Sequence, residues 1–442
     1  MTARQVRATA SGRSGPVEAS RYVRPVSWMA PERPAWVQLV NAGGVPAIAD
    51  VARSPFTVQG LLAEARAEAG IDDGGDCDFG AGFREPLEIL LPSLEEESEL
   101  TVLGRFLARR QLLRLLRVRL QVVRYLQEDP GAVDEPIVAP LVVTGAPRTG
   151  TTVLHALLAC DPALRAPLGW ELLLPLPPPN PGADEQARIA LAETELRGFA
   201  GADPGLDAIH EYGARNPKEC LSAMSFAFRS EEFVVRYGVP SYTRWLAGCD
   251  MRPAYEYHRL VLALLQRRFP RPQWVLKSPV HLHSLSTLLD VYPDARIAVT
   301  HRDPLAVLGS VSSLVAHLRW VHSDRVDLAE IGRYHAALYA RSLNALVTPT
   351  DPRLIEPGRL HSGSFADLSA DPIGAAEACY VTWAQPMSGM ARAKMAEYVS
   401  ARPRGRHGSH EYAFAELGLD IAVERTRFAP YTQRFDVPDE VQ

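Results

Sequence analysis

Apolar residues recur at helical spacing between about Thr57 and Gln127, as in Leu61, Leu62 and Ala65 and again in Leu113, Leu116, Leu120 and Val123. That spacing predicts a helical region. The segment before it, from Met1 to about Pro34, has no periodicity and predicts a mobile arm. At Pro136 the pattern changes to a short β-branched run that ends in Gly145, Ala146 and Pro147, and helical spacing then returns through Val153, Leu154, Leu157 and Leu158. The reading is strand, tight loop, helix. Two more short apolar strands are predicted at 273–279 and 295–304, each followed by a helix, and such alternation implies a parallel sheet with right-handed crossovers. The chain divides into an arm (1–34), a helical extension (35–135) and an α/β domain (136–442) with a mostly helical insertion at 187–270.

Two stretches punctuate this pattern. Asp72, Asp73, Asp76 and Asp78 crowd one loop, but the glycine and terminal glutamate of an EF-hand are missing, so a solvated turn is the better reading. The proline-rich run at 172–182 reads as a turn directly following a strand. In the insertion, Phe226, Phe228, Phe233, Tyr237, Tyr242, Trp245, Tyr255 and Tyr257 are explained mainly by helix packing.

Composition then narrows the classes. With 442 residues, 47% hydrophobic and 22% charged, the chain has ample core-forming material, which excludes pervasive disorder, a collagen or a small disulfide scaffold. A formal net charge of -5 gives no basic field for nucleic acid. Only Lys218, Lys277 and Lys394 among the 47 basic residues are lysines, so arginine abundance says little and each lysine earns scrutiny. Five widely spaced cysteines without a C-x-x-C pair argue against disulfides and a zinc ribbon and point to a reducing cytoplasm. No secretory apolar core lies in the first 34 residues, and no run of about 18 uncharged apolar residues follows, so neither export nor membrane insertion is expected.

The chemistry-bearing residues gather at the predicted strand ends. Gly145 to Thr152 (Gly-Ala-Pro-Arg-Thr-Gly-Thr-Thr) has the length and glycine spacing of a phosphate-binding loop at a helix N-terminus. A Walker loop needs lysine where Thr151 stands, and the only long cation here is Arg148. The strand ending at His301 continues into Arg302, a cation where a Walker-type enzyme places an acid for Mg²⁺, and Ser310 follows eight residues later, close enough to face the same phosphate. Lys277 ends a strand and should project at the carboxyl edge of the sheet, where open α/β sheets bind ligands. Glu171 opens an apolar run. No metal site is predicted.

Together these segments resemble the PAPS-dependent sulfotransferases, particularly the bacterial branch related to tyrosylprotein sulfotransferases, with motifs in the same order over roughly residues 55 to 435. The resemblance implies a P-loop-type parallel sheet flanked by helices, an N-terminal helical extension and a helical acceptor-site insertion. It implies that Pro147, Arg148, Thr149, Gly150, Thr151 and Thr152 form the 5'-phosphosulfate loop and that Arg148 and Lys277 neutralise the sulfuryl group and leaving phosphate. Arg302 and Ser310 would hold the 3'-phosphate, Phe365 would stack on adenine, and Arg404 or Arg406 (or His407) would return a basic group to the 3'-phosphate. Glu171 takes the family's catalytic-base position, with His281 as the competing base; Lys218 departs from the acidic pair expected before Cys220 and puts an acceptor role for Glu219 in doubt.

The expected reaction is metal-independent in-line transfer of a sulfuryl group from PAPS to a hydroxyl of a small or medium acceptor, phenolic or apolar, leaving 3',5'-adenosine bisphosphate, with neither nucleic acid nor membrane as partner. The alternatives are a P-loop kinase and a catalytically inactive nucleotide-binding regulator.

Overall fold

The computed structural model describes residues 30–70, 79–176, 183–203, 205–206, 213–268, 273–402 and 414–441. Its centre is a parallel sheet of β1 (Leu141–Thr144), β2 (Leu164–Arg165), β3 (Gln273–Lys277), β4 (Arg296–His301) and β5 (Leu360–Ser364) in the order β2-β3-β1-β4-β5. All three strands predicted from the sequence are present, and β1 lies between the other two, with Leu141 beside Val275 of β3 and Arg296 of β4. A central parallel strand is covered on both faces, which explains why all four residues of β1 are apolar or buried. Alternation sorts them: Leu141 and Val143 join Val275 and Ala298 in one core cluster, while Val142 joins Leu276, Ile297 and Val299 in the other.

The helical lead-in packs into the second of these clusters through Leu61, Leu90, Leu112 and Leu116. Arg119, on helix Val102–Glu128, is fully buried and donates to the carbonyls of Phe79, Ala81 and Phe226 at 2.8 Å each. A buried guanidinium is tolerated here because its fork is shared among carbonyls, and it pins the lead-in to the insertion. Helix Pro304–His322 is long and apolar enough by composition to cross a membrane, but 89% of its apolar window is buried inside the fold.

Residues 1–29 of the expected arm lie outside the described residues, and its last residues are anchored: Arg33 stacks on Trp320 at 3.8 Å and pairs with Asp324, and Trp320 Nε1 donates to the Pro31 carbonyl at 3.1 Å. The proline-rich run follows a short helix, Gly169–Leu173, rather than a strand, because β2 closes after two residues; residues 177–182 of the run, like the aspartate-rich loop at 71–78, lie outside the described residues. As helix packing predicts, the insertion's aromatics Phe226, Phe228, Phe233, Tyr237, Tyr242 and Tyr255 are all core, at most 2% exposed.

The core also contains His155, His258, His281, His301, His322 and His335, each at most 4% exposed. Burial pushes their pKa values down, to about 3 for His155, His258 and His322, to about 4 for His301 and His335, and well below the ordinary value for His281. Unfolded imidazoles take a proton near pH 6.5 while these do not, so the stability present above pH 6.5 is lost as pH falls toward 3 to 4. Glu231 acts oppositely, since burial, partly offset by Arg341, raises it to about 7 and stability falls as pH rises from 4.5 to 7. Six imidazoles outweigh one carboxyl. The thermal midpoint should therefore fall steadily between pH 7 and pH 5, and a flat midpoint would show that these imidazoles are not neutral in the fold.

Candidate active site

β1 feeds directly into the loop Gly145–Gly150 and helix Thr151–Leu158, whose first-turn N–H groups have no partners within the helix. The loop turns sharply. Gly145 has φ +139°, and a Cβ there would lie 2.6 Å from the Thr300 carbonyl oxygen; Gly150 has φ +90° and abuts Leu368 and Phe365. Arg148 itself holds φ +68°, a conformation costly for an L-residue that the surrounding contacts must impose. Thr149 supplies one, with its hydroxyl donating to the Ala146 carbonyl at 2.7 Å and lying 2.6 Å from Thr300 Oγ1.

Lys277 ends β3 and its side chain is only 3% exposed. Such a charge needs partners. Its ammonium donates to Thr152 Oγ1 at 3.0 Å and pairs with the Glu219 carboxylate. Glu219 is placed by backbone bonds on both sides: Cys220 N donates to the Lys277 carbonyl at 2.9 Å, and Lys218 N to the Pro167 carbonyl at 2.8 Å. The sequence put Glu219 in doubt, whereas the fold makes it the counter-ion of Lys277.

Arg302 follows β4. Its Nη1 donates to the Arg148 carbonyl at 2.9 Å, its plane lies 4.2 Å over the Phe365 ring, and its remaining edge holds Glu440 at 2.7 to 3.1 Å. Ser310 lies on the first turns of helix Pro304–His322, but its hydroxyl accepts from Arg148 Nε at 3.0 Å. Arg302 and Ser310 thus share Arg148 as their common neighbour rather than bonding one another. Beneath them, Asp303 caps the helix through Leu305 N and accepts from Arg425; burial raises its pKa, but the Arg425 bonds and backbone N–H groups outweigh burial and hold it below its ordinary value.

Glu171 lies on helix Gly169–Leu173, is 3% exposed, and accepts from Arg165 at 2.5 Å and from Leu168 N at 2.9 Å. It lines a cavity of about 830 Å³ with Leu164, Trp170, Leu196, Thr152 and Lys277. All three lysines of the chain, Lys218, Lys277 and Lys394, border this cavity. Lys218 and Glu219 also border a smaller cavity of about 150 Å³, lined by Leu221, Val235, Val280, Val311 and Leu314. His281 is not in the cleft: it is 1% exposed, with Nδ1 3.0 Å from the Tyr255 hydroxyl, because the turn Pro279–His283 directs it into the core. Arg404, Arg406 and His407 lie outside the described residues.

Sequence reasoning missed Arg165, Glu440 and Arg425. Arg165 sits two residues into an edge strand with no motif, and Glu440 and Arg425 come from the far end of the chain. No local signal marks any of them.

The chain is similar to known proteins in sequence and fold. A model described as "Sulfotransferase family" matches residues 140–383. The crystal structure of sulfotransferase STF1 from Mycobacterium tuberculosis H37Rv is similar at 31% identity and TM-score 0.71, covering 84% of this chain and 98% of that one. Sulfotransferase STF9 from Mycobacterium avium is similar at 27% identity and TM-score 0.73, covering 88% and 99%. An omega-hydroxy-beta-dihydromenaquinone-9 sulfotransferase of Mycobacterium tuberculosis is 26% identical over 262 residues, a match covering 55% of this chain and 62% of that relative's length.

The tight start of the loop yields a prediction. Gly145→Ala places a methyl 2.6 Å from a backbone oxygen at a φ disfavoured for alanine, so unfolding in urea should show a loss of about 1–3 kcal/mol. An unchanged midpoint would show that the loop relaxes freely.

Proposed function

The chain belongs to the sulfotransferase family, and on that premise we propose that it moves a sulfuryl group from PAPS to a hydroxyl of a small or medium apolar acceptor in the cytoplasm. The observation that carries this reading is the convergence of Arg148, Lys277 and Arg302, from three chain segments, on one glycine-turned loop at the carboxyl edge of a parallel sheet. The edge also suits an oxyanion, since the Arg302 edge already receives a carboxylate. The reading favours sulfuryl over phosphoryl transfer because arginine, not an acid for a metal, follows β4.

In the proposed reaction the acceptor oxygen bonds to sulfur as the bond from sulfur to the leaving phosphate oxygen breaks, and the phosphate retains the electron pair. Charge builds on the flattened SO₃-like group and on that phosphate oxygen. Arg148, Lys277 and the loop N–H groups supply fixed positive charge there. Thr152 holds the Lys277 ammonium against the loop, which limits the reorganisation needed when charge develops. The acceptor proton passes to the Glu171 carboxylate, which Arg165 and Leu168 N hold in place on the cavity wall. His281 faces Tyr255 in the core and is a poor competitor for that proton.

An apolar acceptor is supported by Leu164, Leu168, Trp170 and Leu196 in the large cavity and by the small apolar cavity behind Lys218 and Glu219. The dihydromenaquinone named for one relative is an apolar molecule bearing such a hydroxyl. The free cysteines Cys160, Cys220, Cys249 and Cys379 fit a reducing compartment.

A thermal shift separates this reading from the kinase. The bisphosphate 3',5'-adenosine bisphosphate alone should stabilise the fold by about 2.7 kcal/mol at a hundredfold excess over Kd. Stabilisation only by ATP with Mg²⁺ would reject the sulfotransferase reading for the kinase.

A second test separates the base from the charge-handling residues. Glu171→Gln should keep donor binding and lower turnover by about 10² to 10⁴, whereas Lys277→Ala should weaken both, because the leaving phosphate is already charged in the ground state. Wild-type turnover in Glu171→Gln would remove Glu171 as the base. An enzyme that stays inactive with every acceptor, while binding the bisphosphate, would favour the regulatory protein.

A further inference from the structure

Arg302 presents three faces, and each is used. Nη1 is fixed by the Arg148 carbonyl, the plane rests on Phe365, and the edge formed by Nε and Nη2 holds both carboxylate oxygens of Glu440, at 2.9 and 3.1 Å from Nε and 2.7 Å from Nη2. That edge is the one suited to a bidentate oxyanion. Arg148, which touches Arg302 through its carbonyl, also reaches Ser310. The Glu440 carboxylate therefore sits in the position assigned above to the donor's 3'-phosphate.

Its placement is built rather than casual. Beyond helix Ile421–Arg434 the chain returns to the sheet edge, where Asp303 Oδ2 accepts from the backbone N–H groups of Glu440 at 2.6 Å and Val441 at 3.1 Å. Arg425 bridges Asp303, Asp439 and the Val441 carbonyl. Val437 and Val441 pack against the main core cluster. These contacts dock the segment without the Glu440 side chain, so the carboxylate is presented to Arg302 by a tethered backbone and competes as an intramolecular ligand at high effective concentration.

We propose that Glu440 is an internal stand-in for the donor's 3'-phosphate, displaced from Arg302 when a 3'-phosphorylated nucleotide binds. The proposal rests on the sulfotransferase reading of Arg302. A single guanidinium edge accommodates one bidentate anion, so every 3'-phosphorylated ligand must displace the carboxylate, whereas a plain 5'-nucleotide need not. The spent donor keeps its 3'-phosphate, so the same competition acts on the product and speeds its release. Arg302 itself stays in register during the exchange, held by Phe365 and the Arg148 carbonyl. Glu440 thus sets how strongly the 3'-phosphate counts in donor affinity.

The test is calorimetric titration of 3',5'-adenosine bisphosphate and of AMP into wild type, Glu440→Gln, Arg302→Ala and the double variant. Glu440→Gln should bind the bisphosphate about two- to fivefold more tightly, as expected for removing one partly exposed ion pair, and bind AMP as wild type does. The gain should vanish in the Arg302→Ala background. Carboxyl-detected NMR gives a readout without substitution: in wild type the bisphosphate, but not AMP, should shift the Glu440 side-chain carboxyl resonance while the backbone bonds to Asp303 persist. If Arg302→Ala weakens the bisphosphate selectively while Glu440→Gln binds it no more tightly than wild type, the Glu440 role is overturned and the Arg302 site stands. If Arg302→Ala weakens both ligands equally, the reading of Arg302 fails and the stand-in falls with it.

Discussion

The structure depends on gathering cations at one sheet edge, where charges of like sign repel one another. Four of these cations have internal partners: Lys277 with Glu219, Arg302 with Glu440, Arg165 with Glu171, and Arg148 with Ser310. Burying a lone ammonium such as Lys277, with 3% of its side chain exposed, would cost several kcal/mol. Paired, it can wait in a fixed position. Under the proposed function, the arrangement stores charge in geometry that an incoming anion takes over, the electrostatic preorganisation that group transfer requires.

The sheet makes that gathering possible. Because all five strands run in parallel, every strand ends at the same edge, and the residues that follow β1, β3, β4 and β5 meet there even though they are far apart in the chain. Core packing on both faces holds the strands, so the loop after β1 can tolerate positive φ at Gly145, Arg148 and Gly150. The strain is local, and the support comes from residues such as Thr149 and Thr300 whose hydroxyls meet beneath the loop.

Two cavities meet at Lys218 and Glu219, one large and lined with charges, the other small and apolar. Burial lowers the pKa of Lys218, with Glu232 opposing that effect. The same short segment therefore separates the polar reaction cleft from an apolar recess and supplies the counter-ion of Lys277. A few backbone bonds at residues 217–220 fix that segment between the two cavities.

Much of this was legible in the sequence because it is local. A β-branched run ending in glycine, helical spacing after it, and lysine or arginine at a strand end report on adjacent residues, and those read β1, β3, β4 and the positions of Arg148, Lys277 and Arg302 correctly. Side-chain direction was not legible. Two residues past Ser278-Pro279, His281 looked available to the cleft, but one tight turn points it at Tyr255. Ion-pair partners were beyond reach for a related reason. Glu440 meets Arg302 across 138 residues, and Glu219 meets Lys277 across 58, contacts that exist only once long loops have closed. Strand periodicity and turn chemistry determined which residues reach the edge, while only tertiary packing decided which charges face each other there.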